Sequence, residues 1–307
     1  MTSEHPAVSL VAVPGRRRAT LEIAGTIERL GFAGIYAPSM FGNMSLCAAL
    51  AQATQRIAFG TSIAPIYART ITDFAESAAF MHEVSAGRFR FGIGVSHRPA
   101  HVRLGVSPGP PLGDMRAFVA KLRAHEGMGP LPPLILAALR RQMVALAGEI
   151  GDGVVFANAA RSHMPASLMA LPALRRDNPD FFIGNMIPTC ISEDIAAAKA
   201  VHRNTLRRYA LLANYRNYWK EAGYVEEMEA IETAIAAGRH EDVPKYLTDT
   251  WLADVTLFGP AARVREELSA WRAAGVRTPI LVPSSAAGNQ MTAFAELFAA
   301  FAGPSSS

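Results

Sequence analysis

Short, predominantly apolar runs alternate with segments of helical period along nearly the whole chain, and that alternation limits the folds open to it. Residues 8–13, 34–38, 57–63, 89–95, 134–137, 153–157, 181–189 and 278–282 are mostly apolar, without a strict polar–apolar alternation. Strands covered on both faces have this pattern, whereas half-exposed strands alternate. Helical segments fall between them at 21–30, 45–54, 71–84, 113–125 and 139–150, with another around 164–176. In 139–150 one stripe holds Leu139, Met143, Leu146, Ala147 and Ile150. Thr70 and Asp73 make a capping-box-like start to 71–84. Gly31, Gly87, Gly151 and Gly275 stand where a left-handed helix end precedes a strand.

Eight strand–helix units in 307 residues predict an α/β chain folded as a closed (β/α)8 TIM barrel. The rival is an open doubly wound sheet, which would leave the later strands in need of an edge. The period breaks once. Residues 192–247 contain no convincing strand and are rich in Arg, Ala, Glu and Tyr, so they read as an α-helical insertion before the last strand. The barrel is expected to be a single domain over 1–303, with 304–307 a disordered tail. Pro99, Pro108, Pro110 and Pro111 predict a long, stiff loop after the fourth strand.

Composition narrows the class further. Half the residues are hydrophobic, 18% are charged and the mean hydropathy is +0.15, which excludes overall disorder. Thirty Lys plus Arg against 26 Asp plus Glu leave a charge of +4, too thin an excess for a nucleic-acid partner. Only four of the 30 basic residues are Lys, so fork-shaped guanidinium donors dominate. No apolar run approaches the ~20 residues of a membrane span. Glu4 and His5 before the first apolar run, and three arginines at 16–18 after it, do not fit a secretion signal. A soluble cytoplasmic protein is expected. Its two cysteines, Cys47 and Cys190, read as buried thiols in a reducing compartment.

In such a barrel the chemistry sits at the C-terminal strand ends. There the chain carries Ser39, Thr61 and Ser62, then Val95-Ser96-His97, Ala138-Leu139-Arg140, Asn158 with Arg161, Thr189, and Ser284-Ser285. No pair of carboxylates is present for two-acid hydrolysis. His97 and His101 lie four apart but lack a third ligand, so no metal is expected. Ser39, Ser62 and Ser96 have no partnered base, which argues against a serine nucleophile. What remains is small, hydroxylated, apolar and cationic. It suits a large planar ligand with an anionic arm, one that brings its own reactivity.

Five phrases, in order, resemble the luciferase-like monooxygenase superfamily, and within it the branch that uses the deazaflavin coenzyme F420. They are RLGFAGIYAPSMF (29–41), TQRIAFGTSIAPIYART (54–70), HEVSAGRFRFGIGVSHRP (82–99), ALRRQMVALAGEIGDGVVF (138–156) and VTLFGPAARVREELSAWRAAGV (255–276). The resemblance implies a ring-binding site at the barrel mouth. A bulge with a non-proline cis peptide would fall at Ser62–Ile63, facing the ring. Ser39, Thr61, Ser62, Ile63, Gly94, Val95 and Ser96 would line the coenzyme. Ala138, Leu139, Arg140 and Arg141 would meet its phosphate-bearing tail at a helix start. Asn158 and Arg161 would extend that cradle. His97 and Tyr67 are the candidate proton donors, with water as a third source.

The chain departs from the branch in three places. Ser39 and Met40 replace an acidic residue and a histidine, and His97 occupies a slot that holds glutamate in some members. The acid–base apparatus of the sugar-phosphate dehydrogenases is therefore missing. Arg140-Arg141 replaces a Gly-Pro pair. The expected activity is hydride transfer between reduced coenzyme F420 and a small C=C, C=N or C=O substrate. The rivals are an FMN-dependent two-component monooxygenase and a flavin-binding protein without turnover. A homodimer is expected. For Gly92 and Gly94 close strand packing competes with ring contact. Tyr209, Tyr215, Tyr218 and Trp219 read as packing for the insertion or a dimer face.

Overall fold

The computed structural model describes residues 5–40 and 42–302. The tail expected at 304–307 lies outside them. The chain folds as a closed eight-stranded parallel (β/α)8 barrel ringed by helices. It divides into two compact units. The first takes in the chain up to Phe156 and Met169–Gly184; the second comprises Ala157–Leu168 and the chain from Asn185 on.

The first unit contains the strands β1 (Ala7–Ser9), β2 (Gly34–Ala37), β3 (Ala58–Thr61), β4 (Ala64–Pro65), β5 (Phe89–Gly94), β6 (Leu134–Ala137) and most of β7 (Gly153–Ala157). Its helices are α1 (Arg17–Arg29), α2 (Asn43–Ala53), α3 (Ile71–Val84), α4 (Arg98–Leu104), α5 (Pro111–Arg123) and α6 (Arg141–Ile150). Parallel ladders run β1–β2–β3–β5–β6–β7, with β4 pairing beside β5. Register fixes which side chains point inward. Ser9, Tyr36, Gly60 and Arg90 are successive partners across four strands and so share one level and one face. On that face Arg90 donates to the Tyr36 hydroxyl at 3.0 Å, and Arg90 and Tyr36 both pack on the Phe182 ring. The opposite face of β5 presents Phe89, Phe91 and Ile93, all fully buried, with Phe91 against Phe74 of α3.

After β7 come the short helices α7 (Met164–Leu168) and α8 (Ala173–Arg176). The sequence pattern predicts one helix here. Pro172 divides it, because proline excludes the helical conformation from the residue before it. The second unit has the long strand β8 (Phe182–Ile191), most of which belongs to it, paired with β9 (Leu257–Gly259) and β10 (Thr278–Ser284). Strand β9 was not legible in the sequence. Three residues are too few to show a period.

Residues 192–247 are helical, as α9 (Ile195–Ala210), α10 (Ala213–Glu221), α11 (Val225–Ala236) and a 3-10 turn at His240–Tyr246. They are followed by α12 (Asp249–Val255), α13 (Ala261–Ala273) and α14 (Gln290–Phe301). Trp219 and Trp251 cross edge to face at 4.7 Å, both fully buried. Among the described residues no helix is long and apolar enough to cross a membrane.

The stretch after β5 departs from expectation. In place of a plain loop it forms α4, with Pro99 in its first turn, where proline's missing N–H costs nothing. That helix buries none of its side chains.

Candidate active site

In the first unit the C-terminal ends of β3, β5 and β6 are drawn tightly together. Thr61 Oγ1 donates to the Gly92 carbonyl at 2.6 Å, and Ser62 N donates to the Ala37 carbonyl at 2.7 Å. The Ser62–Ile63 peptide is cis, where the family resemblance placed it. Asn43, at the start of α2, donates from its side chain to the Ile63 carbonyl at 3.1 Å. A Cβ on Gly92 would fall 1.9 Å from the Thr61 carbonyl oxygen. One on Gly94 would fall 2.9 Å from both the Ile63 and the Ala137 side chains. Both glycines are thus required by the approach of neighbouring strands and leave the Ile63 side chain seated over Gly94. Thr61 and Ser62 are buried, whereas Ile63 and Val95 stay partly exposed. Ser39, at the end of β2, is likewise partly exposed.

Beyond β5 the chain turns sharply, with Ser96 at φ 62°, and His97 then leads into α4. Burial, and then the neighbouring His101, hold the His97 imidazole below its ordinary pKa, so it is neutral at pH 7. His101 Nε2 lies 2.6 Å from the Val95 carbonyl; since a carbonyl only accepts, Nε2 carries the proton. The Tyr67 ring meets the His101 ring edge-on at 5.5 Å. Its hydroxyl donates to Asp114 Oδ2 at 2.6 Å, and the same oxygen accepts the Gly109 amide at 2.8 Å. Burial and the Asp114 carboxylate raise the Tyr67 phenol well above its usual range. The structure thus brings His97, His101, Tyr67 and Asp114 into one chain of contacts. The sequence showed no sign of Asp114 or Asn43, because their partners lie 47 and 20 residues away.

Ala138 is buried and donates its amide to the Val155 carbonyl at 3.0 Å. Leu139 is partly exposed. Arg140 is the N-cap residue of α6 and Arg141 its first residue, and both are exposed. No acidic residue stands in the first turn and no side chain caps it. Two guanidinium groups therefore join the positive end of the helix dipole, an arrangement that favours an anion.

The remaining two candidates lie in the second unit. Asn158 is 4% exposed and sits at φ 54° just past β7. Its carbonyl accepts the Trp219 indole N–H at 3.0 Å. Arg161 forms an ion pair with Glu267. At the ends of β8 and β10, Ser284 Oγ donates to the Thr189 carbonyl at 3.1 Å, and Ser285 Oγ to Glu296 Oε1 at 2.8 Å. Burial, and then the Glu296 carboxylate, push the Cys190 thiol up to about 11, so this buried thiol is unreactive at neutral pH.

Comparison with known proteins shows the family. A sequence profile for the luciferase-like monooxygenase family matches residues 1–278. A Mycobacterium tuberculosis protein provisionally described as a coenzyme F420-dependent oxidoreductase is 27% identical, over 86% of this chain and 90% of that protein. Two solved structures share the fold. One is the coenzyme F420-dependent tetrahydromethanopterin reductase of Methanopyrus kandleri, with a TM-score of 0.73, 14% identity, and 95% of this chain and 97% of that one covered. The other is the oxygenating constituent of 3,6-diketocamphane monooxygenase from Pseudomonas putida, solved with FMN. It gives a TM-score of 0.60, 15% identity, and 90% and 91% coverage. This chain belongs to the luciferase-like monooxygenase family of barrel oxidoreductases.

Proposed function

We propose that this protein transfers hydride between reduced coenzyme F420 and a small organic substrate bearing a C=C, C=N or C=O bond. The observation that carries this reading is the platform at the ends of β3 and β5. There Ile63 is seated on Gly94 and fixed by Asn43, with uncharged neighbours in Thr61, Ser62 and Val95. A flat ring fits such a surface, and the arginine-flanked start of α6 suits an anionic tail. The identity to the mycobacterial protein supports the choice of coenzyme. Bound there, reduced coenzyme F420 supplies the hydride.

The protein's share is positioning and polarisation. The platform would hold one face of the ring. The neutral His97 imidazole would direct an N–H toward the substrate atom that gains negative charge, and water would supply the proton that completes the reduction. Tyr67, whose hydroxyl proton is committed to Asp114, braces His101 rather than donating. Fluorescence titration of the purified protein with coenzyme F420 and with FMN tests the reading. Saturable binding of coenzyme F420, followed by its reoxidation with at least one enone, imine or ketone, supports it. Tight FMN binding with no response to coenzyme F420 overturns it in favour of a flavin monooxygenase, the reading that the FMN-bound Pseudomonas putida structure supports.

A further inference from the structure

Residues 97–109 comprise α4 and the turn beyond it, and not one of them is buried. Polar groups hold the segment instead of packing. His101 Nε2 donates to the Val95 carbonyl at 2.6 Å, which folds α4 back onto the end of β5. Against the His101 ring, edge-on at 5.5 Å, stands Tyr67 from the segment after β4. The Tyr67 hydroxyl donates to Asp114 Oδ2 at 2.6 Å, and the Gly109 amide donates to that same oxygen at 2.8 Å. A Cβ on Gly109 would fall 2.6 Å from Asp114 Oδ1, so the backbone there lies directly against the carboxylate. Both ends of the segment are thus tied to one side chain. That side chain has a firm base. The next residue of α5, Met115, is fully buried, and Phe118 meets Phe74 of α3 edge-on at 5.6 Å.

Helix capping explains one of the two bonds to Asp114. Pro110 and Pro111 have no N–H, so the Gly109 amide is the nearest donor upstream of α5 that an acidic side chain in its first turn can satisfy. Capping does not explain the other. Tyr67 lies 47 residues away and is only half-buried, so its hydroxyl could turn to water instead. Nor do the contacts form a proton relay. His101 Nε2 is engaged with a carbonyl, and Tyr67 meets that ring by its edge while its hydroxyl serves Asp114. What they transmit is position. His97 is the N-cap residue of α4, and its carbonyl accepts the Ala100 and His101 amides at 2.8 and 3.1 Å. His97 therefore moves with the helix.

We infer that Asp114 is a positioning residue: by gathering the Tyr67 hydroxyl and the Gly109 amide on one carboxylate oxygen, it holds α4 against the end of β5 and so fixes where His97 stands. The inference rests on the functional reading above, in which His97 directs an N–H toward the substrate. Every residue it uses belongs to the first unit.

The test uses the intact chain and two readouts. The first is reoxidation of reduced coenzyme F420 by an enone, imine or ketone. Asp114→Ala removes both ties and is expected to lower kcat about tenfold, while KM and the coenzyme dissociation constant stay within about twofold. Asp114→Asn keeps an acceptor oxygen and should restore most of the rate. Tyr67→Phe keeps the ring and the Gly109 tie, and should lose less than about twofold. In a His97→Ala background, Asp114→Ala should cost nothing further, because it acts through His97. Leu122→Val loosens the buried face at the far end of α5 and is expected to leave kcat unchanged. The second readout needs no coenzyme. Tryptic cleavage after Arg103, exposed on α4, is expected to quicken about tenfold in Asp114→Ala and to stay near the parent's rate in Asp114→Asn.

A kcat in Asp114→Ala equal to the parent's overturns the inference. Full additivity with His97→Ala, an equal loss in Leu122→Val, or unchanged cleavage after Arg103 overturns it as well. Failure of the parent chain to bind coenzyme F420 sinks the functional reading, and this inference with it. An active parent matched by an equally active Asp114→Ala sinks only the inference.

Discussion

Asn43 reaches 20 residues along the chain to hold the Ile63 carbonyl, with its side-chain nitrogen 3.1 Å from that oxygen. The same side chain accepts the Met44 amide at 2.9 Å, so both ends of its amide are used and it cannot rotate freely. Removing it in Asn43→Ala strips a part-buried carbonyl of its donor and is expected to cost about 1 kcal/mol of stability. Chemical denaturation measures that loss. Coenzyme binding should weaken too, since Ile63 would no longer be held.

Gly92→Ala should be far more damaging than its size suggests. The added carbon would lie 1.9 Å from the Thr61 carbonyl oxygen, a backbone atom that cannot swing aside. A loss of about 3 kcal/mol is expected from forced strand separation. Gly113→Ala in α5 is the contrasting case, with its nearest neighbour 4.0 Å away. Stability there is expected to hold or rise by about 0.5–1 kcal/mol, as glycine is a poor helix former. Equal melting temperatures for the two variants would contradict the close-packed picture of β3 and β5.

The two candidate donors are separable by substitution. His97→Ala is expected to lower turnover about 100-fold, the scale of a lost hydrogen-bond donor to developing negative charge. Tyr67→Phe should keep most of the turnover, because its hydroxyl already serves Asp114. Steady-state rates on any substrate that reoxidises the coenzyme decide the matter, and the reverse ranking would transfer the role to Tyr67.

Charge at the start of α6 predicts salt-dependent binding. Arg140→Ala should weaken coenzyme affinity more at low ionic strength than at high, since exposed charges are screened within about 10 Å at 0.1 M salt. Titrations at two salt concentrations suffice. Affinity unaltered at both would remove the anion-binding role of this helix start.

Acid should destabilise the fold through its buried histidines. Burial pushes His202 down to about 4, and its Nε2 donates to the Leu257 carbonyl at 3.0 Å. The folded chain keeps this imidazole neutral, whereas the unfolded chain protonates it near pH 6.5. Below that pH the unfolded state binds more protons, so stability is full above about 6.5 and declines as the pH falls toward 4. His97, also held low, contributes in the same direction. Denaturation midpoints for the parent and His202→Gln across this range should show a shallower decline in the variant.

Much of the architecture could be read from the chain because it is written locally. Predominantly apolar runs mark most of the strands from β1 to β8, and the stripe from Met143 to Ile150 marks α6. Elements whose identity depends on distant partners escaped. Strand β9 gains its character only from pairing with Thr189, Cys190 and Ile191. Pro99 reads as a breaker until the start of α4 is seen around it. The site divides in the same way. Ser62 and Ile63 were marked by a family phrase with a fixed position, so the bulge was found. Asp114 and Asn43 carry no such mark, for each matters only through a contact many residues away. Tyr218 and Trp219 were read as packing for the insertion, and both are fully buried; the Trp219 indole N–H also donates to the Asn158 carbonyl.

Helix α4 keeps no side chain in the interior, and Val102 stands 74% exposed on it. Its ties to the first unit run through few groups, His101 on the Val95 carbonyl and against Tyr67, and the Gly109 amide on Asp114. With His97, His101 and Gly109 kept, its outward positions should be exchangeable for a relative's without disturbing how the barrel folds. Substrate preference would then diverge at the outer face of one helix while the groups beneath it are inherited intact.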